Sequence, residues 1–296
     1  MQITFLGTSS MVPTKERNQS GILMSYNEQG ILVDCGENIQ RQMKQAGIPL
    51  TKITKILITH WHGDHVFGLP GVLSSLGASE YSKTLEIYGP KGTTAHFKAM
   101  AEAFVFDRKV DMQIKEIKEG RFFENDEFYL ESYQLNHGIL CFGYRFVEKD
   151  RRRIDTKKIK KIGIPDGPLL GRLQDGKTVE FKGKKIKADD VTYIVEGKIV
   201  SFIADTAPCS NCYKIAENAD LLISEATYSS KLENKGEEYG HMTAKQAALI
   251  ANRANVKKLV LTHLSARYKT KHEIEEDALN YFQNVEVADD FLKVNL

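Results

Sequence analysis

The sequence predicts an α/β protein built as an αβ/βα sandwich, two mixed sheets face to face with helices on the outside. Three observations predict it. Both halves of the chain run in the same order, strands first and then strands alternating with helices. Short apolar runs of strand length recur at Ile56-Leu57-Ile58, Phe202-Ile203 and Leu259-Val260-Leu261 and read as buried strands. Each of these runs leads into a polar residue, His60, Asp205 or His263, where sites gather on rigid α/β scaffolds. With 296 residues, 42% hydrophobic and 27% charged, the chain can bury a sizeable core and is read as one domain over 1–296. No internal repeat is strong enough to prove a duplication.

In order, residues 1–6 read as a strand ending in the small turn Gly7-Thr8-Ser9-Ser10. The segment Pro13 to Asn18 interrupts before strands at 21–26 and 31–34, and a helix follows near 38–46. A strand over 53–58 precedes a helix near 68–76, a strand at 85–88 and a helix near 93–103. Residues 122–146 are β-rich, with partial alternation at 128–133. Between 149 and 190 the pattern breaks, and Gly163-Ile164-Pro165-Asp166-Gly167-Pro168 fits neither a helix interior nor a central strand. Regular order resumes as a hairpin over 191–204 turning at Glu196-Gly197-Lys198, followed by helices at 210–218, 243–254 and 272–282 and strands at 220–224 and 258–262.

Composition narrows the function classes. The N-terminus enters a strand directly, without the basic and apolar regions of a secretory signal. No apolar run approaches the roughly 18–20 residues needed to cross a bilayer. Four scattered cysteines make no disulfide framework, and the expected compartment is the reducing cytoplasm. Cys209-x-x-Cys212 offers half a zinc site or a redox pair, with no second CxxC to complete four ligands. The net charge of +2 hides an asymmetry: residues 149–187 hold 14 Lys and Arg against 5 Asp and Glu, leaving the remainder acidic. Such a block is a solvated loop or a polyanion-binding surface.

Chemistry concentrates in Thr59-His60-Trp61-His62-Gly63-Asp64-His65, three imidazoles and a carboxylate within six residues. Extended backbone throws His60 and His62 to one side, where both rings reach one ion. Gly63 allows a tight turn, after which Asp64 and His65 face a second ion. Imidazole nitrogen and carboxylate oxygen suit a borderline divalent metal such as zinc. The choice of Trp61 has no explanation at this level, and His96 and His272 read as structural.

His60-x-His62-x-Asp64-His65 resembles the signature of the metallo-β-lactamase superfamily. His137, Asp205 and His263 resemble the rest of its ligand set, with Glu225-Ala226-Thr227 and His241-Met242-Thr243 between the last two. Together, from Met1 to about Arg267, they resemble the short-form ribonuclease Z family of tRNA 3′-processing endonucleases. The resemblance implies a four-layer sandwich of that superfamily and two zinc ions per subunit, with manganese as the alternative. His60, His62 and His137 would hold the first ion, Asp64, His65 and His263 the second, and Asp205 would bridge. Such ions lower the pKa of bound water from about 15.7 towards 7. The resemblance makes His241 the proton donor to the leaving ribose oxygen, Glu225 its orienting carboxylate, and Asp64 both ligand and proton acceptor.

Metal ligands identify a hydrolase and leave the substrate open, since other phosphodiesterases and sulfatases share the cage. Three features favour precursor tRNA. The basic segment 149–190 resembles the family's inserted flexible arm, with Gly167, Pro168 and Arg172 in its glycine-proline motif. Pro13-x-Lys15-x-Arg17-Asn18 resembles the loop that handles the RNA 3′ end. Ser265 and Arg267, just beyond His263, are placed to bind a backbone phosphate. The resemblance also implies a homodimer, and the short apolar runs argue for no membrane partner. No expected ligand position is missing, against a non-catalytic scaffold, and His62 stands where flavodiiron oxidoreductases carry Glu.

Overall fold

A computed structural model describes residues 1–104 and 109–296. The chain begins with β1 (Gln2–Gly7), β2 (Gly21–Tyr26) and β3 (Gln29–Val33), then α1 (Ile39–Gln45) and β4 (Lys55–Leu57). α2 (Gly63–Val66), α3 (Leu69–Ala78), β5 (Leu85–Gly89), α4 (Thr93–Ala103) and β6 (Met112–Glu116) follow. Next come β7 (Gly120–Glu124), β8 (Phe128–His137) and β9 (Ile139–Glu148). Residues 151–195 supply β10 (Arg151–Ile154), α5 (Thr156–Ile162), α6 (Pro168–Gln174), β11 (Val179–Phe181), β12 (Lys184–Ile186), α7 (Ala188–Val191) and β13 (Thr192–Val195). The last third holds β14 (Ile199–Ile203), α8 (Ser210–Ala216), β15 (Leu221–Glu225), α9 (Glu233–Tyr239), α10 (Ala244–Arg253), β16 (Leu259–Thr262), α11 (His272–Leu279), β17 (Val285–Val287) and β18 (Lys293–Asn295).

Two seven-stranded sheets form, in the orders β18-β1-β2-β3-β4-β5-β6 and β17-β16-β15-β14-β9-β8-β7. In the first, β1 to β3 pair antiparallel and β3 to β6 parallel; in the second, β14 to β17 are parallel. Parallel strands need crossovers, which is why the helices follow them. An aromatic layer joins the sheets: Tyr88 packs on Phe122 at 5.1 Å and Tyr26 on Phe146 at 5.3 Å between centroids. The Tyr144 hydroxyl donates across to the Ile58 carbonyl at 2.6 Å. Behind the first sheet, Ile39 and Met43 of α1 and Val72, Leu73 and Leu76 of α3 close one core. Behind the second, α8, α10 and α11 close another through Ile215, Ile250 and Ile274. The predicted αβ/βα layering is the observed one, and β18 returns the C-terminus to pair with β1.

Residues 124–129 and 147–198 make a separate compact unit. The expectation of irregular chain between 149 and 190 is corrected here. The segment carries three helices and two small ladders, β10 with β13 and β11 with β12. Ile159, Ile164, Leu173, Val179, Ile186, Ala188 and Val191 give it a core of its own. Gly163 ends α5 and Gly167, at φ 149°, precedes Pro168 at the start of α6, so the two breakers fall between helices. Lys157, Lys158, Lys160, Lys161 and Arg172 face solvent.

Candidate active site

The site lies at the C-terminal ends of parallel strands, where backbone polar groups leave the ladder. His60 follows β4, Asp205 follows β14, His263 follows β16, and Glu225 closes β15. His137 ends β8, the one contributor from the antiparallel side. His60 to His62 run extended into α2, which carries Asp64 and His65. Gly63 has no left-handed backbone, so the expected turn does not require glycine; a Cβ there would meet only the tip of the Phe67 ring, which is exposed and free to turn aside.

Hydrogen bonds on one side of four imidazoles, those of His60, His65, His137 and His263, aim the other side inward. The Nδ1–H of His60 donates to the Thr59 hydroxyl at 2.9 Å, and that hydroxyl donates to Asp34. His65 donates through Nδ1 to Asp34 Oδ2 at 2.7 Å, and His137 through Nδ1 to the Gly240 carbonyl at 2.9 Å. His263 donates through Nδ1 to the Thr227 hydroxyl at 3.0 Å, which donates to Glu225 Oε2 at 2.6 Å. The free nitrogens converge. His62 Nδ1 sits 3.1 Å from both His60 Nε2 and His137 Nε2, and at most one of those contacts can be a hydrogen bond.

Asp205 lies across the cage. Its Oδ1 is 3.3 Å from His263 Nε2, and its Oδ2 is 3.3 Å from His65 Nε2, 3.7 Å from His137 Nε2 and 3.8 Å from His60 Nε2. Asp64 Oδ2 is 3.4 Å from both His65 Nε2 and His263 Nε2. Four overlapping groups of ligand atoms result: His60–His62–His137 and Asp64–His65–Asp205–His263 hold every predicted ligand, and His137–Asp205–His241 and Glu225–His241–His263 bring His241 up against them. Burial, then the neighbouring His65 imidazole, lowers His60 well below its usual value, keeping a neutral ligand nitrogen. Burial opposes charge on Asp64 and Asp205, yet the surrounding imidazoles hold both carboxyls well below the carboxylate range.

The residues fit divalent metal. His65 Nε2 and Asp205 Oδ1 are buried without a hydrogen-bond partner, a cost that a cation held between them would remove. His241 stands beside the cage, its Nδ1–H donating to Glu225 Oε1 at 3.1 Å. Burial disfavours its charge, but the Glu225 carboxylate raises it to about 9. The cleft over these groups, about 350 Å³, is lined by Met11, Val12, His62, His137, His241 and Ser265 among others.

The remaining sequence candidates separate. Lys15 is exposed. Arg17 is corrected as an RNA contact: it is buried, and its guanidinium donates to Asp289 at 3.0 Å and to the Ala288 carbonyl at 2.9 Å. Asn18 is likewise committed, its amide to the Glu37 carbonyl at 2.7 Å and its N–H to Asp290 at 2.8 Å. Ser265 lines the cleft, and Arg267 is exposed, stacked over Tyr228 at 5.2 Å and donating to the Ser265 hydroxyl. Trp61 now has its reason: its Nε1–H donates to Thr93 and its ring stacks on His96 at 4.6 Å, locking the motif to α4. His96 thus has a role that periodicity hid.

Sequence reasoning missed Asp34, Thr59, Thr227 and Gly240. Asp34 alone had a signal, since it follows the apolar run Ile31-Leu32-Val33 just as the ligands follow theirs.

Among curated proteins, the ribonuclease Z of Methanothermobacter thermautotrophicus is 39% identical over 297 residues, spanning 100% of this chain and 97% of its own length. The chain belongs to the ribonuclease Z family. In agreement, the crystal structure of human tRNase Z, short form, aligns with a TM-score of 0.74 at 27% identity, covering 100% of this chain and 99% of that one. A metallo-β-lactamase fold protein of Bacillus subtilis aligns with a TM-score of 0.72 at 19% identity over 99% and 98% of the two chains, a likeness of fold. A family model described as anti-Pycsar protein Apyc1 matches residues 1–137. That match ends at His137, whereas the ribonuclease Z likeness takes in the Asp205, His241 and His263 half of the site.

Proposed function

We propose that this ribonuclease Z family member is the metal-dependent endonuclease that removes the 3′ trailer of precursor tRNA. The observation that carries the reading is a fully equipped cage, two ligand groups spanned by Asp205, with the His241–Glu225 pair beside it on one cleft. His60, His62 and His137 would hold one ion and Asp64, His65 and His263 the other, with Asp205 placed between the two groups. Zinc is the ion proposed, with manganese as the alternative. When bound, the pair supplies positive charge against the phosphoryl oxygens and a more acidic water.

The chain's own groups do the rest. Asp64 accepts the proton released by the attacking water. His241, kept protonated by Glu225, donates to the departing ribose O3′. The tRNA keeps a 3′-hydroxyl and the trailer leaves with a 5′-phosphate. Lys15, Ser265 and Arg267 hold backbone phosphates near the cleft. Arg172 and the exposed lysines of 149–190, with the Gly167-Pro168 turn, bind the body of the tRNA through phosphates, as a shape-reading RNA enzyme does. Among the described residues no helix is long and apolar enough to cross a membrane. We place the protein in the cytoplasm as a homodimer.

The test is to incubate the metal-loaded protein with a 3′-extended precursor tRNA, with and without EDTA, and map the new 3′ end. A single EDTA-sensitive cut at or just beyond the discriminator base is expected. Hydrolysis of a small phosphodiester without any cut in the RNA overturns the tRNA assignment and leaves the metal site standing.

A further inference from the structure

The catalytic reading leaves Cys209-x-x-Cys212 unused. Its two Sγ atoms lie 3.5 Å apart, Cys212 fully buried and Cys209 half-buried at the start of α8. Among the described residues no third His, Cys, Asp or Glu gathers with them, so the pair is not half of a metal site. Cys35 and Cys141 differ from it in kind. Both are wholly buried, and burial pushes both thiols well above their ordinary value, which keeps them protonated and inert.

We propose that Cys209 and Cys212 form a redox-active dithiol, closed to an intramolecular disulfide by low-molecular-weight disulfides and reopened by thiols. Cys209 is the attacking sulfur because it is the one a solvent-borne reactant can reach. The Cys212 thiol lies within hydrogen-bonding distance of it, and this contact, with the backbone N–H groups of Cys212 and Asn211, holds Cys209 below the ordinary thiol value against its burial. Hydrogen bonding to Cys209, then burial, pushes Cys212 the other way and keeps its proton until the second step.

The exchange balances. The Cys209 thiolate attacks one sulfur of R–S–S–R, forming a mixed disulfide and expelling R–S⁻. The Cys212 thiol then loses its proton, and its sulfur attacks Cys209 Sγ, expelling the second R–S⁻. Two protein thiols are oxidised, one external disulfide is reduced to two thiols, and no other reactant is needed. The two sulfurs must close from 3.5 Å to a bonded distance of about 2.05 Å, within the reach of side-chain rotation across two intervening residues.

Full-length protein equilibrated in glutathione buffers of rising disulfide fraction, then alkylated with N-ethylmaleimide and digested, tests this by peptide mass. Cys209 and Cys212 are expected to pass together from both alkylated to neither, without retained glutathione and reversibly with dithiothreitol, while Cys35 and Cys141 stay alkylatable once the protein is unfolded. Cys212→Ser is expected to trap glutathione on Cys209, and Cys209→Ser to leave Cys212 free of adduct. Persistent alkylation of both cysteines in glutathione disulfide overturns the proposal. So does glutathione retained on wild-type Cys209, or oxidation of all four cysteines in parallel. Should Cys212→Ser not fold, the wild-type series and Cys209→Ser decide the question.

Discussion

His65 donates through Nδ1 to Asp34 Oδ2 at 2.7 Å, and the same carboxylate accepts the backbone N–H of Thr59 at 2.8 Å and its hydroxyl at 2.9 Å. One buried acid therefore orients two imidazoles: His65 directly, and His60 through Thr59. Asp34→Asn tests this without disturbing the chain, because Asn also tolerates the left-handed backbone found there, φ 59°. An amide offers a single acceptor oxygen where the carboxylate offers two. Metal affinity is expected to fall about 10–100-fold, with turnover recovering in excess metal. Titration of the metal-free protein with zinc measures it, and an unchanged affinity removes Asp34 from this role.

His241 and Asp205 are close neighbours with different work. His241→Ala is expected to keep its metal content and to lose about 10²–10⁴ in kcat, the usual worth of a positioned acid. Asp205→Ala takes away the carboxylate that reaches imidazoles of both ligand groups and is expected to lose metal as well as activity. Elemental analysis of the two purified variants separates the outcomes. Metal missing from His241→Ala would move that residue into the ligand set.

What could be read in the sequence followed the range of the interactions. His60, His62, Asp64 and His65 declare themselves because their geometry is set within six residues. The ring orientation of His137 depends on Gly240, more than a hundred positions on, and no local pattern carries that. Arg17 misled for the same reason: in a charged loop it reads as a ligand contact, while its partner Asp289 lies near the other end of the chain. In 149–190 the density of lysine and arginine masked a sparse apolar set, Ile159, Ile164, Leu173 and Val179, too widely spaced to show a period yet enough to close a small core.

Lys15 and Arg17, two residues apart, are expected to fail differently. Arg17→Ala removes a buried guanidinium from three hydrogen bonds, to Thr8, Ala288 and Asp289. A destabilisation of about 1.5–3 kcal/mol follows, read as a lowered Tm with little change in the salt dependence of RNA binding. Lys15→Ala is expected to leave Tm unchanged and to reduce the slope of log affinity against log salt by about one. Thermal melts and filter binding at several salt concentrations check both. A stable Arg17→Ala that binds RNA weakly would return Arg17 to the RNA surface.

The basic segment can be removed along its own boundaries. Cutting only 150–188 would delete β10 and strand its pairing partner β13, whereas the compact unit runs through 147–198 and leaves only its short outlier, 124–129, in the remaining chain. Its two ends already meet, the Glu148 N–H donating to the Lys198 carbonyl at 2.9 Å, so a short glycine-serine turn can replace everything between Phe146 and Ile199. Every ligand and the His241–Glu225 pair lie outside the deleted stretch. If the segment binds tRNA through phosphates, the deletion abolishes precursor cleavage and flattens its salt dependence. Hydrolysis of bis(p-nitrophenyl) phosphate, which needs only the cage, then persists with kcat and KM unchanged. Equal loss of both activities would assign the segment to the integrity of the cage and leave the binding of RNA to the cleft itself.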